Sequence, residues 1–383
     1  MEQKKMMNPS SEAELAEMVA AATGALAIQG GGTRGVSVPG TVLSLAGLSG
    51  VDLYEPGSLT IVAGAGTPLA AIEAVLSEQN QRLAFEPMDH RGLMGTTGEP
   101  TIGGVVAANV SGPRRIQAGA CRDFLLGVRF VDGAGVAIKN GGRVMKNVTG
   151  YDLVKLLAGS WGTLGVLSQV SLKVLPVSET QMTLMIRDVD VQGAVATMSR
   201  ALGSPFEVSG AAFCPGEDAT VMIRIEGFAP SVAYRVSQLS ELLESYGDIS
   251  LTEDAAASAA IWVGIRDVKT FNATPGDVWR LSVKPSDAPE VSERLLAEGL
   301  LFDWGGGLIW ARVPEGTDLR ARIGSFAGHA TLVRASAETR QQLGMFQAQP
   351  APLEAISAGL RARFDPRGIF NQGLMQGPAE GTN

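Results

Sequence analysis

Cysteine and histidine are almost missing from this chain: two of each stand among 383 residues. Cys121 and Cys214 lie far apart and form no C-x-x-C pair, which excludes a thiolate zinc site and the four-cysteine cradle of an iron–sulfur cluster. Any such cluster must sit on another chain, and the two thiols are expected to be buried and free, as in a reducing compartment. Charge is scarce too, at 18% of residues, with a net charge of -8 that makes nucleic acid a poor partner. No Gly-Lys pair occurs, so a Walker A loop is excluded. No apolar run reaches the roughly 18 residues of a membrane span, and Met1-Glu2-Gln3-Lys4-Lys5 leads into polar chain instead of a signal-peptide core. A cytoplasmic, non-spanning protein is expected.

Glycine is abundant, at 48 residues, and it is concentrated where it can act. Gly30-Gly31-Gly32-Thr33-Arg34-Gly35 follows a short apolar strand over Ala25 to Ile28. Thr101-Ile102-Gly103-Gly104 opens a second small-residue stretch that passes Asn109, Gly112 and Gly119, and closes with Gly159-Ser160-Trp161-Gly162-Thr163-Leu164-Gly165. Such stretches leave backbone N–H groups uncovered, and these can converge on an anion. Two walls of this kind imply a large diphosphate-bearing cofactor held by main chain. A nicotinamide-type loop should open directly into a helix, whereas Pro39 and Gly40 keep the chain after Gly35 extended, so the dinucleotide Rossmann reading fails on context. Gly64-Ala65-Gly66 reads as an ordinary strand-to-helix turn, with Thr67 as N-cap and Pro68 in the first turn.

Length and a 45% apolar content predict two domains. Ser11-Glu12-Ala13-Glu14 has capping-box spacing and starts a helix ending near Gly24. Gln81 to Gly98 reads as a loop containing His90, and Asp132-Gly133 as a hairpin turn. A short helix over Leu153, Leu156 and Leu157 follows the capping stretch Thr149 to Asp152. Beyond Gln181 glycine thins out and a strand–helix–strand–strand–helix–strand order appears, approximately Thr183 to Thr252, and recurs over Val278 to Val333. Two ferredoxin-like halves would build one sheet with helices on one face. Trp304-Gly305-Gly306-Gly307 falls between two of the later strands and reads as a hairpin. A helix from Leu353 to Phe364 precedes the turn-rich tail Asp365-Pro366-Arg367-Gly368-Ile369-Phe370-Asn371.

Taken together, the two glycine loops and the Asp-Pro…Ile-Phe-Asn tail resemble the FAD-binding family of vanillyl-alcohol oxidase and p-cresol methylhydroxylase type, over about residues 10–178 and 364–373. The resemblance implies an α+β fold in which FAD lies between two subdomains, about 1–95 and 96–178, under a ferredoxin-like cap at 179–345. Residues 346–383 would return to the FAD domain. It implies cofactor contacts from Gly30, Gly31, Gly32 and Thr33, from Thr101, Gly103, Gly104, Asn109, Gly112 and Gly119, and from the backbone of Gly165 and Val166. The first loop lacks a histidine and Cys121 is the only nearby thiol, so the FAD is expected to be non-covalent.

Finer stretches, Phe85-Glu86-Pro87, Ser111-Gly112-Pro113-Arg114-Arg115, Lys146 to Leu153, Trp279 to Val283 and Gly328 to Leu332, resemble the E-subunit family of bacterial glycolate oxidases. That resemblance implies a complex with a larger flavoprotein D subunit and an iron–sulfur subunit, oxidising a small 2-hydroxy acid, glycolate, to its 2-oxo acid. Peripheral membrane association through such a complex stays open. Related D-2-hydroxy-acid dehydrogenases bind a divalent metal through a cap-domain histidine pair. His90 and His329 fall in different domains, so no metal site is expected.

Oxidising a 2-hydroxy acid needs a cation for the carboxylate and a base for the hydroxyl proton. Arg280 interrupts an apolar strand pattern; if Trp279 and Leu281 face the core, it points to solvent or over the flavin. Arg312, after Trp310, occupies a comparable position, and His329 is a candidate base. Lys146 and Tyr151 are candidates for flanking the flavin, and Arg114 and Arg115 for meeting phosphate or marking a docking surface. Three readings follow: a subunit that relays electrons within the complex, a flavin-stabilised scaffold, and a self-sufficient FAD oxidase of another hydroxy acid or alcohol; the missing histidine pair favours the first two over substrate oxidation on this chain.

Overall fold

The computed structural model describes residues 6–143 and 150–376. Lys146 and Thr149 lie outside the described residues. The chain folds around two main apolar cores, one drawn from Leu15 to Val174 with Ile369 and Phe370, the other from Leu184 to Leu332.

The first core sits between two sheets. A small parallel sheet runs in the order Met6–Met7, Thr41–Ser44, Leu26–Gln29. An antiparallel sheet of five strands runs Val51–Glu55, Thr60–Gly64, Val166–Lys173, Leu125–Val131, Ala137–Gly141. The helix Glu12–Ala21 starts at Ser11, whose hydroxyl accepts the Glu14 N–H, and buries Leu15 and Val19 against this core. Between Leu26–Gln29 and Thr41–Ser44 the chain crosses over without a helix, as Pro39 and Gly40 require. The tail closes the lobe: Leu26 pairs with Phe370 in a parallel bridge, and the Asn371 side chain accepts the Ile28 N–H while donating to the Trp161 carbonyl, both at 2.8 Å.

Eight antiparallel strands form the other lobe, in the order Asp248–Thr252, Thr180–Arg187, Thr220–Gly227, Gly210–Cys214, Gly299–Asp303, Leu308–Val313, Asp277–Val283, Gly328–Arg334. Each half has the ferredoxin-like order, and the halves meet edge to edge where Phe213 opposes Phe302. Most helices cover one face, but the expectation of a single covered face is corrected by Ala255–Arg266, which packs on the other, where Trp262 and Ile265 meet Ala212 and Met222 and the Trp262 Nε1–H donates to the Thr183 hydroxyl. Period-two alternation therefore sorts each strand: Trp279 and Leu281 enter the helix-covered core, whereas Val278, Arg280 and Ser282 face the first lobe. Similarly Val221, Ile223 and Ile225 point to the helices and Arg224 and Glu226 the other way.

That second face meets the first lobe through an apolar patch that includes Met88, Leu93, Val278 and Trp310. Beside it lies a buried charge network. Arg114 pairs with Glu86 at 2.6 Å and with Glu226 at 2.8 Å, Arg224 pairs with Glu86 at 3.0 Å, and Arg82 pairs with Glu226 at 2.8 Å. Arg340 adds a clasp by donating to the Gly35 carbonyl at 2.8 Å.

Local expectations were corrected at several points. Pro68, not Thr67, precedes the helix Leu69–Ser77; the Thr67 hydroxyl is taken by the carbonyls of Gly50 and Gly64. The stretch read as a loop after Gln81 holds a short helix, Arg91–Met94. The tail helix begins at Ala351, after Pro350, which starts a helix without needing its own N–H. Asp152 alone caps Leu153–Leu157 among the described residues, by accepting the Lys155 N–H.

Candidate functional site

Two adjacent cavities share a wall, the first within the first lobe and the second between that lobe and the cap. They enclose about 1280 Å³ and about 1430 Å³ with their open mouths, and Arg34, Met88, His90, Ala108 and Trp161 line both.

The first cavity is walled by backbone. Gly30, Gly31, Gly32 and Thr33 form one side, Thr101, Gly103 and Gly104 another, and Gly165 and Asn371 contribute further along. The two glycine loops pack so tightly that a Cβ on Gly31 would land on the Glu99 carbonyl, and one on Gly98 on the Gly31 carbonyl. Gly32 takes φ +70°, outside the comfortable range of other residues. Thr101 caps the turn Ile102–Ala107 by accepting the Gly104 N–H at 3.3 Å, which fixes the second wall.

Arg34 was not among the sequence candidates, yet it stands at the junction of the cavities. Its guanidinium lies over Trp161 at 5.5 Å, no ion pair ties it to an acidic side chain among the described residues, and its Nε is buried without a hydrogen-bond partner. Burial lowers its pKa to about 10, so it is still charged at neutral pH. A desolvated cation beside uncovered backbone N–H groups matches an anionic group such as the diphosphate or flavin of FAD. Gly30 to Arg34, Thr101 to Gly104, Gly165 and Asn371 would hold it; bound FAD supplies hydride-accepting chemistry.

The second cavity reaches under the cap sheet. Arg280, Ser282, Asp303, Leu308, Trp310 and His329 line its roof, and Asn109, Gly112 and Arg115 its floor. Arg280 has no carboxylate partner among the described residues. It lies 5.1 Å from the centre of the Trp304 ring and 6.0 Å from that of Trp310, and Arg115 stacks on the same Trp304 ring at 4.4 Å. The Trp304 Nε1–H donates to the Gly112 carbonyl at 3.0 Å, so one indole links cap, floor and both guanidiniums. Burial, then Arg115, lowers the Arg280 pKa to about 10. His329 is exposed at the mouth, and burial of its ring, then Arg280 and Arg115, lowers its pKa and favours the neutral imidazole. His90 is pushed to about 3 by burial and then by Arg34, so it too is neutral.

Several sequence candidates lie elsewhere. Arg312 is on the same sheet face as Arg280 but beyond the cleft, opposite Val278, where it is ion-paired to Glu298 at 2.5 Å. Gly119 ends the turn Arg115–Ala118 against Asp123, and Val166 is fully buried in its strand; neither lines a cavity described here. Asn109 and Gly112 line the second cavity, not the first. Tyr151 is 88% exposed and flanks neither. Arg114 meets Glu86 and Glu226 instead of phosphate or a docking surface, while Arg115 reaches the cavity. Asp303 and His90 were missed: an Asp before Trp-Gly-Gly reads as turn chemistry, and a histidine in a loop carries no pattern.

Residues 4–141 match a family model described as an FAD binding domain. Over 355 residues the chain is 37% identical to glycolate oxidase subunit GlcE of Escherichia coli, a match that covers 91% of this chain and 92% of that protein. The chain belongs to the glycolate oxidase E-subunit family. It is a member of the FAD-dependent oxidoreductases, with the two-subdomain fold of the p-cresol methylhydroxylase type under an α+β cap. The glycolate oxidase subunit GlcD of Bacillus subtilis is 38% identical, but over only 26% of this chain and 21% of that protein. Among solved structures, an alkyldihydroxyacetonephosphate synthase shares the fold with a TM-score of 0.69 at 13% identity, covering 97% of this chain and 77% of that one. Among the described residues, no group of three His, Cys, Asp or Glu could hold a metal ion, and no helix is long and apolar enough to cross a membrane.

Proposed function

We propose that this chain binds FAD non-covalently in the cleft and takes part, within a glycolate oxidase complex, in the two-electron oxidation of glycolate to glyoxylate. Its partners in this reading are a flavoprotein D subunit and an iron–sulfur subunit that receives the electrons. In the first cavity Gly30 to Thr33 and Thr101 to Gly104 hold the diphosphate by backbone N–H groups, with Arg34 as the charged contact. In the second, Arg280 and Arg115 hold the substrate carboxylate below the cap.

The observation that carries this reading is Arg280. A guanidinium without a carboxylate partner among the described residues, facing a cavity that shares a wall with the glycine-loop cavity, supports a small anionic substrate positioned beside the flavin. A subunit that only relays electrons, or a scaffold, has no need of such a cation, so direct oxidation on this chain is preferred over those alternatives. The test is Arg280→Met in the assembled complex. Its expected result is retained FAD and partner subunits with a KM for glycolate raised at least tenfold, in line with a lost charged hydrogen bond. Unchanged KM and kcat would place oxidation on another subunit.

A further inference from the structure

Asp303 is the one carboxylate that lines the second cavity, and it is 3% exposed. Its position is fixed from both sides. The strand Gly299–Asp303 delivers it to the cavity roof, and its Oδ1 accepts the Trp304 N–H at 2.7 Å, which holds the carboxylate beside the residue that carries both guanidiniums. No arginine forms an ion pair with it among the described residues, although Arg280 lines the same roof. A carboxylate left buried without a salt bridge is costly, and turn capping alone is served equally by asparagine or serine.

We propose that Asp303 is the proton acceptor of the reaction: it takes the hydroxyl proton of the 2-hydroxy acid whose carboxylate rests on Arg280 and Arg115. This rests on the substrate assignment above. The O–H bond breaks with its proton passing to the Asp303 carboxylate and the carbinol becomes a carbonyl; the two electrons of the broken C–H bond would go to FAD, the two-electron acceptor that Gly30 to Arg34 and Thr101 to Gly104 would hold. Protonated Asp303 then returns its proton to water through the cavity mouth, where His329 stands.

The surroundings suit this role. Burial, opposed by the Trp304 N–H, reinforced by Glu86 and opposed further by Arg224 and Arg280, raises the Asp303 pKa to about 7, and an acceptor works best when its pKa is near the working pH. Cys214 lies nearby with its thiol pushed up to about 11, first by burial and then by Asp303 itself, so it does not compete. Arg34, His90, Arg115, Arg266 and His329 complete the titratable groups of the second cavity; burial holds His90 neutral and lowers the Arg115 pKa, while for Arg266 burial is outweighed by Asp267, which raises its pKa. His329 is the rival acceptor, but it is exposed at the rim.

Two measurements on the FAD-loaded complex test the assignment. The first is calorimetric binding of oxalate, an inert dicarboxylate, between pH 6 and 8. Above about pH 7 ionised Asp303 neutralises part of the arginine field, so wild-type affinity should fall several-fold as pH rises and binding should take up a proton. Asp303→Asn keeps the oxygen that accepts the Trp304 N–H and should bind oxalate with that pH dependence gone. The second is the rate of flavin reduction by glycolate. It should fall about 100-fold or more in Asp303→Asn, the usual contribution of a general base, with KM little changed. Asp303→Glu should recover part of the rate with a shifted pH profile, and His329→Gln should leave the profile in place.

Wild-type pH dependence in Asp303→Asn, or wild-type reduction rates, would overturn the assignment while leaving the substrate site standing. If the Asn variant loses FAD, an unshifted pH profile in Asp303→Glu would overturn it equally. Failure of the wild-type complex to bind oxalate or to be reduced by glycolate would overturn the substrate site together with the acceptor.

Discussion

At the scale of single residues, the cleft is defined by groups whose neighbours leave them no alternative role. Gly31 is the sharpest case, because any Cβ there meets the Glu99 carbonyl of the facing loop. Gly31→Ala should force the two loops apart, lowering FAD retention after desalting at least tenfold and destabilising the apoprotein by about 1–3 kcal/mol, as overpacking does. Bound-flavin absorbance and denaturant unfolding check both numbers. Arg280 was legible in the sequence since a charge amid Val278, Trp279, Leu281 and Val283 has to leave the core by period two. Arg312 shares that pattern but lies outside the lining of the cavity, because alternation gives the face of a sheet but not how far along it a cavity extends. Arg34 and Asp303 were illegible for a different reason. Their significance lies in the absence of an ion-pair partner, and partners are settled by tertiary contacts.

At the scale of elements, the strand Thr220–Gly227 ties the lobes together. Its even-numbered residues Arg224 and Glu226 leave the cap sheet and meet Glu86 and Arg114 of the other lobe, with Arg224 1% exposed. Arg224→Met removes one partner and leaves Glu86 and Glu226 short of charge, so it should cost about 3–5 kcal/mol in denaturant unfolding. Replacing Arg224, Glu86 and Glu226 together by apolar residues should cost less than Arg224→Met, which the same unfolding series reads out. Acid should act on the same element. Burial opposes ionisation of Glu86 and Glu226, but Arg224 and Arg114 outweigh it and hold both carboxyls below the usual carboxylate range. A native pKa below the unfolded one gives stability that is present above about pH 4.3 and is lost as pH falls through the native values. Unfolding midpoints should therefore drop steeply below about pH 4, and less steeply in a Glu86→Gln, Glu226→Gln variant. None of this was legible in the sequence. Arg114 beside a glycine loop suggested phosphate, and only the packing of one lobe on the other supplies the two glutamates. The paired ferredoxin-like halves, by contrast, were legible because each repeats the same order of elements and turn residues.

At the scale of the whole molecule, the cleft is built from both lobes: its base is drawn from the glycine loops, its roof from the cap sheet, and its end from Asn371 of the returning tail. A ligand that fills it adds a bridge between lobes already joined by an apolar patch, a charge network and hydrogen bonds such as those from Trp304 to the Gly112 carbonyl, from Arg334 to the Leu93 carbonyl and from Arg340 to the Gly35 carbonyl. FAD at a hundredfold excess over its Kd should raise stability by about 2.7 kcal/mol, and a thermal scan should show one transition moving upward when FAD is added back to stripped protein. The fold of the first lobe was accessible through the family resemblance that its glycine loops and tail carry, and that of the cap through the order of its strands and helices. The second cavity was not, because it arises where the lobes meet.

The most direct test of the account is an anaerobic absorbance spectrum of the assembled complex in which the D subunit has been stripped of its own flavin, taken before and after glycolate is added. Oxidised flavin bands that belong to this chain should bleach on addition of glycolate, and Arg280→Met should need at least tenfold more glycolate for the same bleaching. Flavin bands that persist unchanged would contradict it.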